Sequence, residues 1–340
     1  MKRYPFLLIA LFCSILPVMA EEPLKVGIIG LDTSHVIAFT KTMNDPKAEG
    51  DLAKMNVTAA FPGGSPDIAS SRDRVEGFTN QLRDMGVEIV DSIPALLEKV
   101  DAIMLESVDG RPHLRQALPV FKAGKRLYID KPLAASLVDA MAIEALSQEH
   151  NVPWFSSSSL RFSPEIHRFR DGDPKVGAVR GAVVWSPCSL DPTHPDLFWY
   201  GIHGVETLYT IMGAGCTAVT RVSTDGTDQA TGVWKDGRVG TFRGIRDGKS
   251  GYGGIVFGEK SIADAGTYAG YKPLVERIAS FFLTGEVPVQ PSETIELIAF
   301  MTAADVSKEK QGASVSIESV MQEAKEKVAD RIAEVEKESN

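Results

Sequence analysis

The sequence is poor in cysteine and in positive charge, and each shortage excludes a class of protein. Three cysteines occur among 340 residues, and none of them has the CxxC spacing of a structural zinc site. Lysine and arginine number 36 against 45 aspartates and glutamates, so the formal net charge is -9. Because nucleic-acid binding needs a basic surface, we expect no nucleic-acid partner. The remaining composition is that of a globular protein, and the length predicts two domains.

An apolar run long enough to cross a membrane is also absent. Residues 6–18 are apolar, but this run is too short to span a bilayer comfortably. It follows two basic residues and precedes a small residue, which is the pattern of a secretory signal peptide. We therefore predict a removed signal at 1–20 and an exported protein, periplasmic or extracellular, without a stable membrane span; an uncleaved anchor is the alternative. Cys188 and Cys216 remain after removal, and in an oxidising compartment they could pair.

Apolar segments alternate with helical patterns through the first half of the chain. The predicted strands are 24–31, 55–61, 86–90, 101–107, 126–130 and 152–157, and the predicted helices are 34–44, 92–100, 113–124 and 137–150. This alternation predicts an α/β fold whose doubly wound parallel sheet is covered on both faces. Ligands of such sheets bind at the carboxyl ends of the strands, so we expect Asp32, Glu106 and Lys131 on one rim.

The second half has a different pattern, which predicts an α+β domain with a mainly antiparallel sheet. Its strand-like segments are 177–186, 218–224, 231–245 and 253–259, and its helical segments are 200–212, 272–283 and 291–311. Lys235-Asp236-Gly237 is a hairpin-turn candidate. The predicted boundaries are a Rossmann-type domain at 21–155, an α+β substrate domain at 156–317 and a C-terminal amphipathic helix at 318–340. The helix has one apolar stripe, which we expect to pack on the body or on a second subunit.

Residues 27–36, GIIGLDTSHV, begin like a dinucleotide-binding turn and then depart from it. Gly27 and Gly30 lie where a glycine-rich loop would begin, but Asp32 and His35 occupy the positions of its second and third glycines. A carboxylate repels a pyrophosphate, whereas the hydroxyls of Thr33 and Ser34 at a helix N-terminus favour it. Two interpretations follow: a divergent loop that still binds NAD(P), or a pocket that no longer takes the dinucleotide.

The residues that follow the second and fourth predicted strands also depart from the dinucleotide-binding pattern. Glu106, Asp109 and Arg111 follow the fourth strand, and the second strand has no acid at its tip, although Asp67 lies further on. An acid at that tip would hold a ribose in the dinucleotide fingerprint. Asp32, His35 and Glu106 could converge on a metal, but a histidine at a helix start is more often a cap or a core partner, so we assign no metal.

A lysine at a strand tip is the strongest candidate for catalysis. The fifth strand ends in Asp130-Lys131-Pro132, and such a lysine can hydrogen-bond a hydroxyl and favour loss of its proton. The surrounding pattern, with His113 opening a helix and an Ala-Gly-Lys turn at 123–125, resembles the Gfo/Idh/MocA family of sugar oxidoreductases. Residues 158–165 and 291–317 are similar to further family segments, so the resemblance covers about 24–317.

The resemblance implies a Rossmann domain, an α/β substrate domain, NAD or NADP, and hydride transfer at the carbinol of a sugar or sugar derivative. It also implies a homodimer or homotetramer, paired through the outer face of the second sheet. The residues at 199–206, WYGIHGVE, match a family helix on which His203 is the proton-transfer residue. Trp199 and Glu206 replace the acids of that motif, and Trp199 can stack on a sugar.

These arguments assign three groups of site residues. The catalytic residues are Lys131 and His203; the cofactor-binding residues are Gly27, Gly30, Asp32, Thr33, Ser34, His35, Glu106, His113 and Lys131; the substrate residues are Arg161, Trp199, His203 and Glu206. We favour an NAD(P)-dependent oxidoreductase acting on a carbohydrate. The alternative is an exported carbohydrate-binding protein, or a lyase or hydrolase without dinucleotide, on the same scaffold.

Overall fold

Six parallel strands form the sheet of the N-terminal half, in the order β3-β2-β1-β4-β5-β6. The structure, a computed structural model, describes residues 22–338, so the predicted signal at 1–20 lies outside the described residues. The strands are β1 Leu24–Ile29, β2 Met55–Phe61, β3 Glu88–Ile89, β4 Ala102–Leu105, β5 Arg126–Ile129 and β6 Trp154–Ser156. All six predicted strands form, and their order is that of a doubly wound Rossmann sheet.

Helices cover both faces of this sheet. They are α1 His35–Met43, α2 Ala69–Arg72, α3 Val75–Asp84, α4 Ile93–Leu97, α5 His113–Lys122 and α6 Leu137–His150. Alternate residues of β1 enter opposite cores: Val26 and Ile28 join the apolar cluster of α1, and Ile29 joins that of α5 and α6. This two-sided burial is the reason that the strand is a continuous apolar run.

Seven strands form the second sheet, in the order β12-β11-β7-β10-β9-β8-β13. They are β7 Val179–Pro187, β8 Cys216–Thr224, β9 Thr227–Trp234, β10 Val239–Ile245, β11 Gly253–Gly258, β12 Ile262–Asp264 and β13 Val315–Ser316. Only β7 and β10 pair in parallel; the other described pairs are antiparallel, as predicted. The predicted hairpin joins β9 to β10, and Gly237 adopts a φ of 84° in its turn.

The remaining helices lie in the second half of the chain, and the last three of them also contact helices of the first half. They are α7 Pro164–Asp171, α8 Ile202–Met212, α9 Lys272–Thr284, α10 Pro291–Glu309 and α11 Ile317–Glu338. The tail helix α11 packs on α6, where Arg331 Nε lies 2.7 Å from Asp139 Oδ1. Its apolar stripe is thus covered by the body of the same chain. No helix among residues 22–338 has the length and apolar character needed to cross a membrane.

Sequence reasoning missed several short elements. Helix α3 has an apolar stripe at helical spacing, Val75, Phe78 and Leu82, but only Leu82 of the three is fully buried, and no helix was predicted there. The helices α2 and α7 and the edge strand β12 were also missed, and each of them has eight residues or fewer. Both described cysteines, Cys188 and Cys216, are buried free thiols, so the disulfide that the sequence left open is absent from residues 22–338.

Candidate functional site

A cavity of about 430 Å³ lies where the carboxyl ends of the parallel strands meet the second domain. The turn after β1 contributes Thr33, Ser34 and His35, and the end of β5 contributes Lys131. Helix α8 and the turn before it contribute residues from the opposite side. The structure thus brings residues from two separately folded halves of the chain to one enclosed space, where ligands of doubly wound sheets bind.

Lys131 lies on the Rossmann side of this cavity. Its ammonium Nζ is 3.9 Å from Oδ2 of Asp130, and its residue is 8% exposed. Asp130 also lies 2.9 Å from His35 Nδ1 and receives a 3.3 Å hydrogen bond from the Tyr128 hydroxyl. Burial opposes ionisation of Asp130, but the charges of His35 and Lys131 outweigh it and lower its pKa. Asp130 is therefore a buried carboxylate that contacts both His35 and Lys131.

His203 lies on the opposite wall, in the first turn of α8. Its Nδ1 is 2.8 Å from the Ser158 hydroxyl oxygen, and its Nε2 has no hydrogen-bond partner among the described residues. Burial, followed by the nearby Lys131 charge, lowers the pKa of His203 well below 6.5. The imidazole is therefore neutral near pH 7 and can accept a proton from a bound ligand.

The depressed pKa of His203 predicts acid sensitivity of the fold. The unfolded chain binds this proton near pH 6.5, whereas the native state resists it, so stability is lost as the pH falls below about 6.5. We expect His203→Gln to lose less unfolding free energy than the wild type between neutral and mildly acidic pH, measured by urea unfolding. Equal losses in the two proteins would contradict the assignment of a neutral His203.

An aromatic wall completes the cavity. Tyr200, Tyr252 and Tyr268 line it together with Trp199, and the Tyr252 hydroxyl donates a 3.3 Å hydrogen bond to the Tyr200 hydroxyl. The rings of Tyr200 and His203 are 4.9 Å apart. Such a wall offers apolar faces for stacking and hydroxyls for hydrogen bonds. Sequence reasoning found Trp199 but not the tyrosines: Tyr200 lies beside Trp199 in the quoted 199–206 motif and was given no role, whereas Tyr252 and Tyr268 lie outside every motif.

Two of the proposed substrate residues lie elsewhere, which corrects their assignment. Arg161 and Glu206 are buried in an ion cluster and do not line the cavity. Arg161 Nε pairs with Glu206, and Arg161 Nη1 is 2.7 Å from Oε1 of Glu293, which Arg170 also contacts. A guanidinium that is held by two carboxylates from other helices is not free to bind a sugar. This cluster joins the second domain internally and has a structural role.

Two of the proposed cofactor residues are also buried away from the cavity. Gly27 lies within β1, where an added Cβ would come within 2.9 Å of Val100 and Ile103, so close packing against β4 and the residues before it explains the glycine. His113 is buried, with its ring nitrogens 2.8 Å from the Ser107 carbonyl oxygen and 3.1 Å from that of Leu133. It ties the turn after β4 to the segment after β5 and is not placed to touch a cofactor.

The turn after β1 is closed by its own aspartate. Asp32 is buried and lies outside the cavity lining; its Oδ1 accepts a 2.9 Å hydrogen bond from the Val108 amide, and its Oδ2 accepts one of 2.6 Å from the Ser71 hydroxyl. Burial raises the pKa of Asp32, although both hydrogen bonds oppose this. Gly30, with a φ of 86°, packs against Ser107 so closely that an added Cβ would meet its backbone. The Asp32 side chain thus links the turn after β1 to the segments that follow β2 and β4.

A second cavity, of about 1030 Å³, lies beyond these loops at the tip of β2. Val108 lines the first cavity while its neighbours Ser107 and Asp109 line the second, so the Asp32–Val108 bond marks the boundary between them. A dinucleotide on this sheet would cross that boundary with its pyrophosphate at the glycine turn. Because a buried carboxylate occupies this position, the residues present do not fit a dinucleotide with the loops in this arrangement.

Glu106 lies beneath the first cavity and does not reach its surface. It is fully buried at the end of β4, beside His35 and Asp130. From the sequence, the three residues considered for convergence on a metal were Asp32, His35 and Glu106. In the structure Asp32 does not belong to this cluster. Asp32 is directed to the loops after β2 and β4, and Asp130 takes its place beside the other two.

Solved structures with the same fold are numerous, although no family model and no curated relative matches the sequence. Scyllo-inositol dehydrogenase from Lactobacillus casei aligns at 15% identity and a TM-score of 0.71, covering 88% of this chain and 99% of its own. It has also been solved with NAD(H) and scyllo-inositol. A probable dehydrogenase from Thermotoga maritima aligns at 19% identity and a TM-score of 0.69, covering 87% and 100%.

A third similar structure is GenD2 from gentamicin A biosynthesis, in complex with NAD. It aligns at 15% identity and a TM-score of 0.69, covering 87% of this chain and 97% of its own. At these identities the likeness concerns the fold. The chain has the two-domain fold of the Gfo/Idh/MocA oxidoreductases, as the sequence resemblance predicted, and its solved neighbours include complexes with NAD.

Proposed function

We propose that this protein is an enzyme of the carbohydrate-oxidoreductase type that acts at a carbinol of a sugar or sugar derivative. The observation that carries the proposal is the placement of Lys131 and His203 on opposite walls of one cavity. The cavity is large enough for a monosaccharide-sized ligand, and its lining combines aromatic rings with hydroxyls and cations, as a polar ligand with apolar faces requires.

The two residues have distinct tasks in this proposal. The Lys131 ammonium donates a hydrogen bond to the carbinol oxygen and stabilises the negative charge that develops there. His203 is neutral and its Nε2 is free, so it accepts the carbinol proton, while the Ser158 hydroxyl at Nδ1 fixes the ring orientation. The aromatic residues on the same side hold the ring of the substrate and exclude water.

Oxidation of the carbinol with NAD or NADP is the first candidate reaction. It is supported by the fold and by the sequence pattern around Lys131. The two cavities do not fit a dinucleotide with the loops in this arrangement. This reaction therefore requires Asp32 to release the Val108 amide and the Ser71 hydroxyl. No step beyond the proton transfer at the carbinol follows from the residues present.

A dinucleotide-independent lyase is the second candidate, and the placement of Asp32 specifically favours it. The same two residues would then move protons without a hydride acceptor. The signal peptide predicted at 1–20 also favours it, because free nicotinamide dinucleotide is scarce outside the cytoplasm and an unfolded chain cannot carry it across the membrane.

Asp32→Gly is expected to bind dinucleotides more tightly than the wild type. The change removes a buried carboxylate worth about 1 kcal/mol or more of repulsion, which corresponds to at least about fivefold in affinity. Binding of NAD(H) and NADP(H) is measured by calorimetry and by thermal shift, since a ligand of the native state raises its melting temperature. Saturable binding by the wild type itself supports oxidation, and absence of binding supports the lyase.

Asp225→Gly is the matched control for this experiment. It removes the same charge from an exposed turn between β8 and β9, which lines neither cavity. We expect its dinucleotide affinity to equal that of the wild type. If Asp32→Gly and Asp225→Gly behave alike, the carboxylate of Asp32 does not control the pyrophosphate position.

A further inference from the structure

We infer that His35, Glu106 and Asp130 bind one divalent transition-metal ion at the floor of the cavity. The three residues each offer one ligand atom, and these atoms lie within 4.8 Å of one another. They come from the start of α1 and the ends of β4 and β5, so the sheet itself fixes their spacing. This site adjoins Lys131 of the carbinol-binding pair, but its occupancy does not depend on which reaction the enzyme performs.

Glu106 supplies the independent observation that points to a cation. Its side chain is fully buried, and neither carboxylate oxygen has a hydrogen-bond partner among the described residues. His35 Nδ1 is 3.9 Å from Glu106 Oε2, which is beyond hydrogen-bond distance. A buried carboxylate without partners is strongly unfavourable, and buried charges are normally paired or coordinate metals. An ion between the three side chains would satisfy both the charge and the lone pairs.

The ligand set indicates the class of ion. One imidazole nitrogen with two carboxylates suits Zn²⁺ or Mn²⁺, whereas Ca²⁺ and Mg²⁺ prefer oxygen ligands alone. Three protein ligands leave coordination positions open, as in catalytic sites. His35 lines the cavity, so the ion could be reached from the side where the substrate binds.

The charges around the cluster are compatible with such an ion. Lys131 Nζ lies 3.9 Å from Asp130 Oδ2, and this ammonium is the cation that the metal would replace as the partner of Asp130. Lys131 would then be directed entirely to the carbinol oxygen. His35 Nδ1, which is 2.9 Å from Asp130 Oδ2, would give up that contact and ligate the ion.

The test is metal binding by the full mature chain, without any substrate. The protein is stripped with a chelator, and Zn²⁺ and Mn²⁺ are titrated separately by calorimetry, with metal content checked by mass spectrometry. We expect one ion per chain and a higher melting temperature on loading. For bound Mn²⁺, pulsed electron paramagnetic resonance should detect coupling to a single imidazole nitrogen.

Two variants decide whether the ion binds at the proposed position. Glu106→Gln keeps the side-chain volume and is expected to weaken binding by about 100-fold or more, since even outer-sphere partners of metal ligands contribute 10- to 100-fold. Glu144→Gln, which neutralises a half-buried carboxylate on α6 that accepts a hydrogen bond from Trp154 and lies outside the cluster, should bind as the wild type does. Absence of stoichiometric binding, or equal affinities in the wild type and Glu106→Gln, would overturn the inference and leave Glu106 as a buried protonated acid.

Discussion

Replacing Lys131 with methionine is expected to lower kcat by about 100- to 10,000-fold, the range for loss of a positioned acid–base group. The change removes the ammonium that stabilises the developing alkoxide but keeps most of the side-chain volume. The rate is measured as product formation, by chromatography and mass spectrometry, on the sugar or polyol that a substrate screen identifies.

His203→Gln should lower kcat similarly with little change in KM, because an amide can hydrogen-bond the substrate but cannot take its proton.

The controls separate catalysis from folding. Lys249→Met removes an exposed lysine outside the cavity, and its activity should match that of the wild type. Both cavity variants must show cooperative thermal unfolding before their rates are compared. Near-normal turnover by a folded Lys131→Met variant would remove the basis of the proposed function, whatever the identity of the cofactor.

Replacing Arg161 with methionine is expected to destabilise the fold by about 3–5 kcal/mol, because it leaves the buried carboxylate of Glu206 without its cationic partner. Arg161 is bound by Glu206 and Glu293, and all three side chains are almost inaccessible to solvent. Burial raises the pKa of Glu206 even in the presence of Arg161, so its ionised form depends on that neighbour. The change in unfolding free energy is measured with urea at neutral pH.

Two further variants test the origin of this effect. Arg180→Met removes an exposed arginine, 3.7 Å from Glu259, and should change the stability by less than about 0.5 kcal/mol. Adding Glu206→Gln to Arg161→Met should restore part of the loss, since it removes the uncompensated charge of Glu206, whereas Glu293 keeps Arg170 as its partner. A loss below about 1 kcal/mol in the single variant would show that the cluster is not a buried ion network.

Much of the architecture could be predicted because it depends on local patterns. The strand β2 was predicted over its full length, 55–61, and α6 over its full length, 137–150. Their apolar residues recur with the period of the element, and this period can be recognised from the sequence alone. Helix α3 was missed although Val75, Phe78 and Leu82 recur with the helical period, since the rest of the segment is polar and only Leu82 of the three is fully buried.

The candidate site was only partly predictable. Lys131 and His203 were found by their motifs, and the structure places both in one cavity. Tyr252 and Tyr268 of the wall lie outside every motif, Tyr200 lies in the 199–206 motif but was given no role, and Asp130 was noted only as the neighbour of the lysine. Arg161 and Glu206 lie in segments that the family resemblance indicated, but their side chains pair with each other in the interior of the second domain.

The sequence alone determined the two kinds of sheet, the alternation of strands and helices, and the rim on which Asp32, Glu106 and Lys131 stand. These properties follow from the spacing of apolar residues along the chain, because each element must bury apolar side chains in the core. Only the tertiary structure decided where the side chains on that rim point. Asp32 meets an amide 76 residues away, and His35 meets a carboxylate 95 residues away. Such contacts depend on how separate elements pack, and no local pattern encodes them.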